Sequence, residues 1–94
     1  MIFLRNWYPY DNGMIKEYVP PTSGVYMLFS HQDCVYVGSS RNMQEDLINS
    51  VNGASSARFA QHPPDEFRFE VALGEDRDVR RAELIAELSP LCMD

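Results

Sequence analysis

Basic residues are scarce in this 94-residue chain: eight Lys and Arg stand against fourteen acids, a formal net charge of -6. The one lysine is Lys16, and the arginines are scattered. A protein that grips a nucleic-acid backbone presents clustered Lys and Arg to neutralise phosphates, so DNA binding is expected to be weak or absent. The compact basic candidate, Arg77, Arg80 and Arg81, is interleaved with Asp76 and Asp78 and reads as a solvated helix face. Cysteine is scarce too. Cys34 and Cys92 have no metal-ligand spacing, and in a reducing compartment they read as small buried hydrophobes rather than a disulfide. Nowhere do eighteen apolar residues follow one another, and MIFLRNWYPYDNG at the start has no apolar run long enough for a signal peptide. The expectation is a cytoplasmic protein with no membrane partner. Repeats, low-complexity segments and internal linkers are absent.

What the chain has is enough apolar material for one core, 45% of residues, with 12% aromatic. A single domain over residues 1–94 is expected, with 1–20 as a lead-in and 21–92 as the core. IFLRNWY at 2–8 reads as a short lead-in strand ended by Pro9 and an Asp11-Asn12-Gly13 turn. Val25, Met27 and Phe29 alternate with Tyr26 and Leu28 in one strand, and Val35 and Val37 with Tyr36 in the next. The loop Ser30-His31-Gln32-Asp33 joins them as an antiparallel pair, so both tyrosines fall on one sheet face. Gly38-Ser39-Ser40 ends the second strand and supplies serine caps to a helix over 41–51, whose stripe is Met43, Leu47 and Val51. Asn52-Gly53 stops it. Phe67 to Val71 reads as a half-exposed third strand, and Leu84, Ile85 and Leu88 as the inner side of a helix over 77–88 that ends before Pro90. The order β, β, α, β, α predicts an α+β fold, a small three-stranded antiparallel sheet flanked by helices.

Gly24-Val25-Tyr26, followed ten residues on by Tyr36-Val37-Gly38, resembles the GIY-YIG nuclease domain. The landmarks run from Pro21 to Pro90, including the ending Leu84-Ile85, Leu88 and Pro90-Leu91-Cys92. The resemblance implies hydrolysis of a phosphodiester by a divalent metal on a helix glutamate, tyrosines that help activate water, and an arginine that stabilises phosphoryl charge. Tyr26 and Tyr36 match the motif tyrosines, and Gly24 and Gly38 its glycines. The family's arginine position falls on Asp46, its histidine on Ser50, its metal-binding glutamate on Arg81 and its C-terminal asparagine on Met93. A carboxylate at position 46 repels a phosphate, and a guanidinium at 81 cannot ligate a metal. Tyr26, Tyr36, Asp46, Ser50 and Arg81 therefore mark a vestigial site, with no metal and no cofactor. Asp46 and Arg81 are expected to pair across it.

The resulting reading is a catalytically inactive domain kept as a binding or interaction module for a protein partner. One alternative is a divergent Mg- or Mn-dependent DNA endonuclease using Tyr26, Tyr36, Arg41 and Glu83. Another is an acidic DNA mimic that blocks a nucleic-acid-binding partner; it requires Glu45, Asp46, Asp65, Glu66, Glu70, Glu75, Asp76, Asp78, Glu83 and Glu87 on one surface. Elsewhere the plain readings hold: Trp7, Tyr8 and Tyr10 pack on the sheet edge, His31 and His62 lie at the surface, and Ser39 and Ser40 cap a helix.

Overall fold

The computed structural model describes residues 7–54 and 59–92. The sheet holds four antiparallel strands in the order β1-β4-β2-β3. They are β1 (Tyr8–Pro9), β2 (Gly24–Ser30), β3 (Asp33–Ser40) and β4 (Glu66–Val71). The helices are α1 (Asn12–Tyr18), α2 (Met43–Asn49) and α3 (Gly74–Leu88). The three expected strands are present, flanked by helices as expected. A short helix is added, and the two-residue β1 meets the end of the expected lead-in strand at Tyr8 and takes in Pro9. Of the expected lead-in strand, residues 2–6 lie outside the described residues.

Asp11 does not open a turn. Its carboxylate accepts the Met14 N–H at 2.9 Å and caps α1. That helix buries Ile15 and is followed by the buried Val19, so the core begins well before residue 21. The β2–β3 hairpin closes at Ser30 and Asp33 around His31 and Gln32, whose φ angles of 50° and 74° are left-handed, as a tight two-residue hairpin loop demands. Leu28 pairs with Tyr36 and Phe29 with Cys34, so Val35 is an extra residue in the ladder. This bulge breaks the expected alternation. Val35 and Tyr36 both join one apolar cluster, and Val37 joins the other.

Strand β3 runs on through Ser39 and Ser40, so the serines do not cap α2. Asn42 does, accepting the Glu45 N–H at 3.0 Å, while Ser40 Oγ accepts the Asn42 N–H at 2.9 Å. One wide turn, Ser50–Ala54, continues α2 and is broken within by Gly53, whose φ of 106° suits glycine. α3 begins three residues earlier than the apolar stripe suggests, with Glu75 and Asp76 in its first turn, where negative charge opposes the helix dipole.

The sheet has two unlike faces. On the first, called the α2 face, Tyr26, Leu28, Val35 and Phe67 meet Ile15, Val19, Met43, Leu47 and Phe59. On the second, the α3 face, Val25, Met27, Phe29, Cys34 and Val37 meet Leu84, with Trp7, Ile85 and Leu88 at its margin. After α3 the chain returns to the outer edge of β3, where the Leu91 and Cys92 N–H groups donate to the Cys34 and Val35 carbonyls at 3.1 and 2.7 Å. That segment occupies part of an edge otherwise open to pairing.

Candidate functional site

Strands β2 and β3 bring the two motif tyrosines together on the α2 face, as the sequence predicts. Their ring centroids are 6.1 Å apart. The bulge at Val35 sets this spacing, because it restores Tyr36 to the face of its partner Leu28. Gly38 stands opposite Tyr26, and a Cβ there would lie 2.6 Å from Tyr26 Cζ and 2.8 Å from Tyr36 Cε2. The glycine is what lets two phenol rings lie against the strand. Gly24 answers a similar demand from β4 and α2, since its Cβ would run into the Glu70 carbonyl oxygen and lie 2.5 Å from Met43 Sδ. Both motif glycines thus have a packing reason, independent of chemistry. Val25 and Val37 turn the other way, into the α3 face.

The pair is enclosed. Tyr26 is 7% exposed, and Phe59 stands edge-on to Tyr36 with centroids 5.7 Å apart. Phe59 escaped the sequence analysis; a single aromatic in the polar run before His62-Pro63-Pro64 was its only signal. Beside it a cleft of about 240 Å³ is lined by Tyr10, Ser50, Val51, Phe59, Ala60, Pro63 and Pro64. The Tyr10 hydroxyl and Ser50 Oγ share a hydrogen bond there. Burial pushes the Tyr10 phenol above its usual pKa, and the bond to Ser50 offsets part of that rise. Ser50 thus ties the end of α2 to the β1–α1 connection.

The charged members of the predicted site do not converge. Asp46 and Arg81 are each half-buried, yet no ion pair joins them. The reason lies in the layers: α2 packs Met43 and Leu47 on one sheet face, and α3 packs Leu84 on the other. The expected Asp46–Arg81 contact is therefore corrected. Arg41 is exposed in the turn before α2. Glu83 is exposed and accepts from Arg80 Nη1 at 3.3 Å. Met93 lies outside the described residues.

The three arginines of α3 do not form a solvated face. Arg77, Arg80 and Arg81 are all half-buried, whereas Glu75, Asp76, Asp78, Glu83 and Glu87 are exposed. Arg77 Nη1 donates to Ser23 Oγ at 3.0 Å. Arg80 grips Glu70 on β4 through Nε and Nη2, at 2.7 and 2.9 Å. That two-pronged bond holds the Glu70 carboxyl below its usual pKa and pushes the guanidinium's up. The acids required by a DNA mimic are dispersed: Glu45 and Asp46 ride on α2, Asp65 and Glu66 stand at the hairpin end, Glu70 is engaged by Arg80, and the rest lie on α3 across the sheet. Among the described residues no three of His, Cys, Asp and Glu gather in a geometry that holds a metal ion. Among the same described residues no helix is long and apolar enough to cross a membrane.

Solved structures repeat this arrangement of strands and helices. The magnesium-bound GIY-YIG N-terminal endonuclease domain of UvrC from Thermotoga maritima superposes with a TM-score of 0.70 at 21% identity, over 85% of this chain and 96% of that one. A point mutant of the same domain with alanine in place of an asparagine, bound to its catalytic divalent cation, gives 0.69 at 21% identity, over 85% and 94%. A variant with phenylalanine in place of a tyrosine gives 0.70 at 20% identity, over 85% and 96%. The fold is GIY-YIG-like. No protein-family model matches the sequence, and no curated protein matches it either. At this identity the likeness concerns the GIY-YIG-like backbone and says nothing of activity.

Proposed function

We propose that this GIY-YIG-like domain has lost phosphodiester hydrolysis and works as a binding module for a protein partner. The observation that carries the reading is the charge on α3. The part of that helix turned toward the sheet bears Arg77, Arg80 and Arg81, and its carboxylates are exposed or, in Glu83, engaged by Arg80. The resemblance puts the metal-holding glutamate at Arg81, and a guanidinium has no lone pair to offer an ion. Asp46, at the expected arginine position, adds a second reversal of sign. Surface charge supports the same conclusion, because a net charge of -6 opposes a DNA ligand.

The structural likeness to a domain that binds a catalytic divalent cation favours one other reading, a divergent endonuclease using Tyr26, Tyr36, Arg41 and Glu83 with Mg or Mn. Incubating the purified protein with supercoiled plasmid and either ion separates the two. The binding-module reading predicts no nicking by wild type. Metal-dependent nicking that disappears in Arg41→Ala and Glu83→Gln would overturn it.

A further inference from the structure

On the α3 face the helix lies mainly over β3 and β2, so the β4 flank is less covered. Glu66, Arg68 and Glu70 project there from alternate positions of β4, opposite Phe29, Met27 and Val25. Two of these charges are engaged. Arg80 holds Glu70, and the Arg68 guanidinium sits 5.2 Å from the centroid of the Trp7 ring, which in turn packs on Phe29. The Glu66 side chain has no hydrogen bond or ion pair among the described residues. Next to it, Asp65 Oδ2 accepts the His31 N–H at 3.3 Å and lies 3.9 Å from the His31 ring nitrogen.

Two adjoining clefts open at this end of the sheet. One, about 460 Å³, is lined by Trp7, Gln32 and Glu66; the other, about 370 Å³, by Pro9, His31, Gln32, Asp65 and Glu66. Gln32 and Glu66 belong to both. Among the described lining residues the charged groups are Asp65, Glu66 and His31, and the Arg68 guanidinium over Trp7 stands at the margin. Trp7 and Pro9 supply apolar walls.

We propose that this cleft receives a cationic side chain, the guanidinium or ammonium of a basic segment on a protein partner. Glu66 is its principal counter-ion, Asp65 the second, and Trp7 and Pro9 flank its methylene stem. The inference rests on the binding-module reading and gives that partner a chemistry. Nucleic acid is the wrong sign for the cleft, and a second copy brings the same net charge of -6. Two of the α3 arginines are already engaged, Arg77 by Ser23 and Arg80 by Glu70.

The test uses the full chain and a peptide of alternating arginine and glycine. Trp7 is the single tryptophan, so its fluorescence reports the cleft directly. Binding is predicted to shift the Trp7 indole N–H together with the Gln32 and Glu66 amides in ¹H–¹⁵N spectra. Glu66→Gln is predicted to weaken binding about tenfold, whereas Glu75→Gln, an equal loss of charge on α3, changes it less than about twofold. Gln32→Arg, at an exposed turn residue away from the core, is predicted to weaken it as well. Equal weakening by Glu66→Gln and Glu75→Gln, or shifts centred on α3, would overturn the cleft, as would an absence of binding. A protein that binds the peptide here and also nicks DNA overturns the functional reading and leaves the cleft standing. An inert protein whose affinity ignores Glu66 overturns the cleft alone.

Discussion

The two faces of the sheet are built from the same three long strands and finished in opposite ways. The α2 face is closed by α1, α2 and Phe59, and its polar groups are phenols and hydroxyls that satisfy one another, as Tyr10 and Ser50 do. The α3 face is covered by one helix, and charge does much of the work there, in the clamp of Arg80 on Glu70 and the seat of Arg68 over Trp7. The tyrosines and glycines of the motif sit on the α2 face, where they pack. Glu66, whose side chain bonds to nothing among the described residues, sits on the charged one.

If that contrast is right, equal deletions on the two faces differ in effect. Leu47→Ala, at a fully buried α2 position, is expected to cost about 3 kcal/mol, and Leu88→Ala, at a half-buried α3 position, about half of that. Urea denaturation measures both, and equal losses would erase the distinction. Gly38→Ala is next, expected to cost about 2 kcal/mol because the new methyl meets two tyrosine rings. Retention of full stability would mean that the rings are not fixed against the strand.

Cys34 tests the covered part of the α3 face. Burial pushes its thiol from 9.0 up to about 11. The unfolded chain therefore ionises first as pH rises, and the stability associated with the neutral thiol is lost progressively between about pH 9 and about pH 11. Cys34→Ala should flatten that alkaline slope relative to wild type, leaving the smaller contribution of the same sign from Tyr10. The smallest effect belongs to the clamp. The Glu70 carboxyl is held low by Arg80, so its contribution is present above the usual glutamate value of 4.5 and is lost as pH falls through its lower folded value. Both partners are over one-third exposed, so Glu70→Gln should cost less than about 1 kcal/mol and reduce the acid dependence of stability.

Much of this was legible in the chain. The hairpin, the shared face of Tyr26 and Tyr36, the Asn52-Gly53 stop and the Leu84-Ile85-Leu88 stripe all follow from local periodicity and turn chemistry. α1 was not, because Asp-Asn-Gly signals a turn as strongly as a cap and seven residues hold too little periodicity to decide. The bulge at Val35 was hidden for a similar reason, since one inserted residue leaves an apolar run looking like alternation. The failed pairing of Asp46 with Arg81 has a different source. Charges three or four residues from a core stripe are correctly placed near the sheet, yet nothing local says which side each helix will take. The same gap concealed the clamp on Glu70, whose partner ten residues on depends on how α3 crosses β4.

A manganese titration followed by ¹H–¹⁵N relaxation tests the central claim most directly, because it reads metal binding itself rather than the products of hydrolysis. The account predicts no saturable broadening around Tyr26 and Tyr36, with any weak, non-saturating effect confined to exposed carboxylates of α3 such as Glu75 and Asp78. Saturable broadening centred on the two tyrosines, abolished by Glu83→Gln, would contradict it.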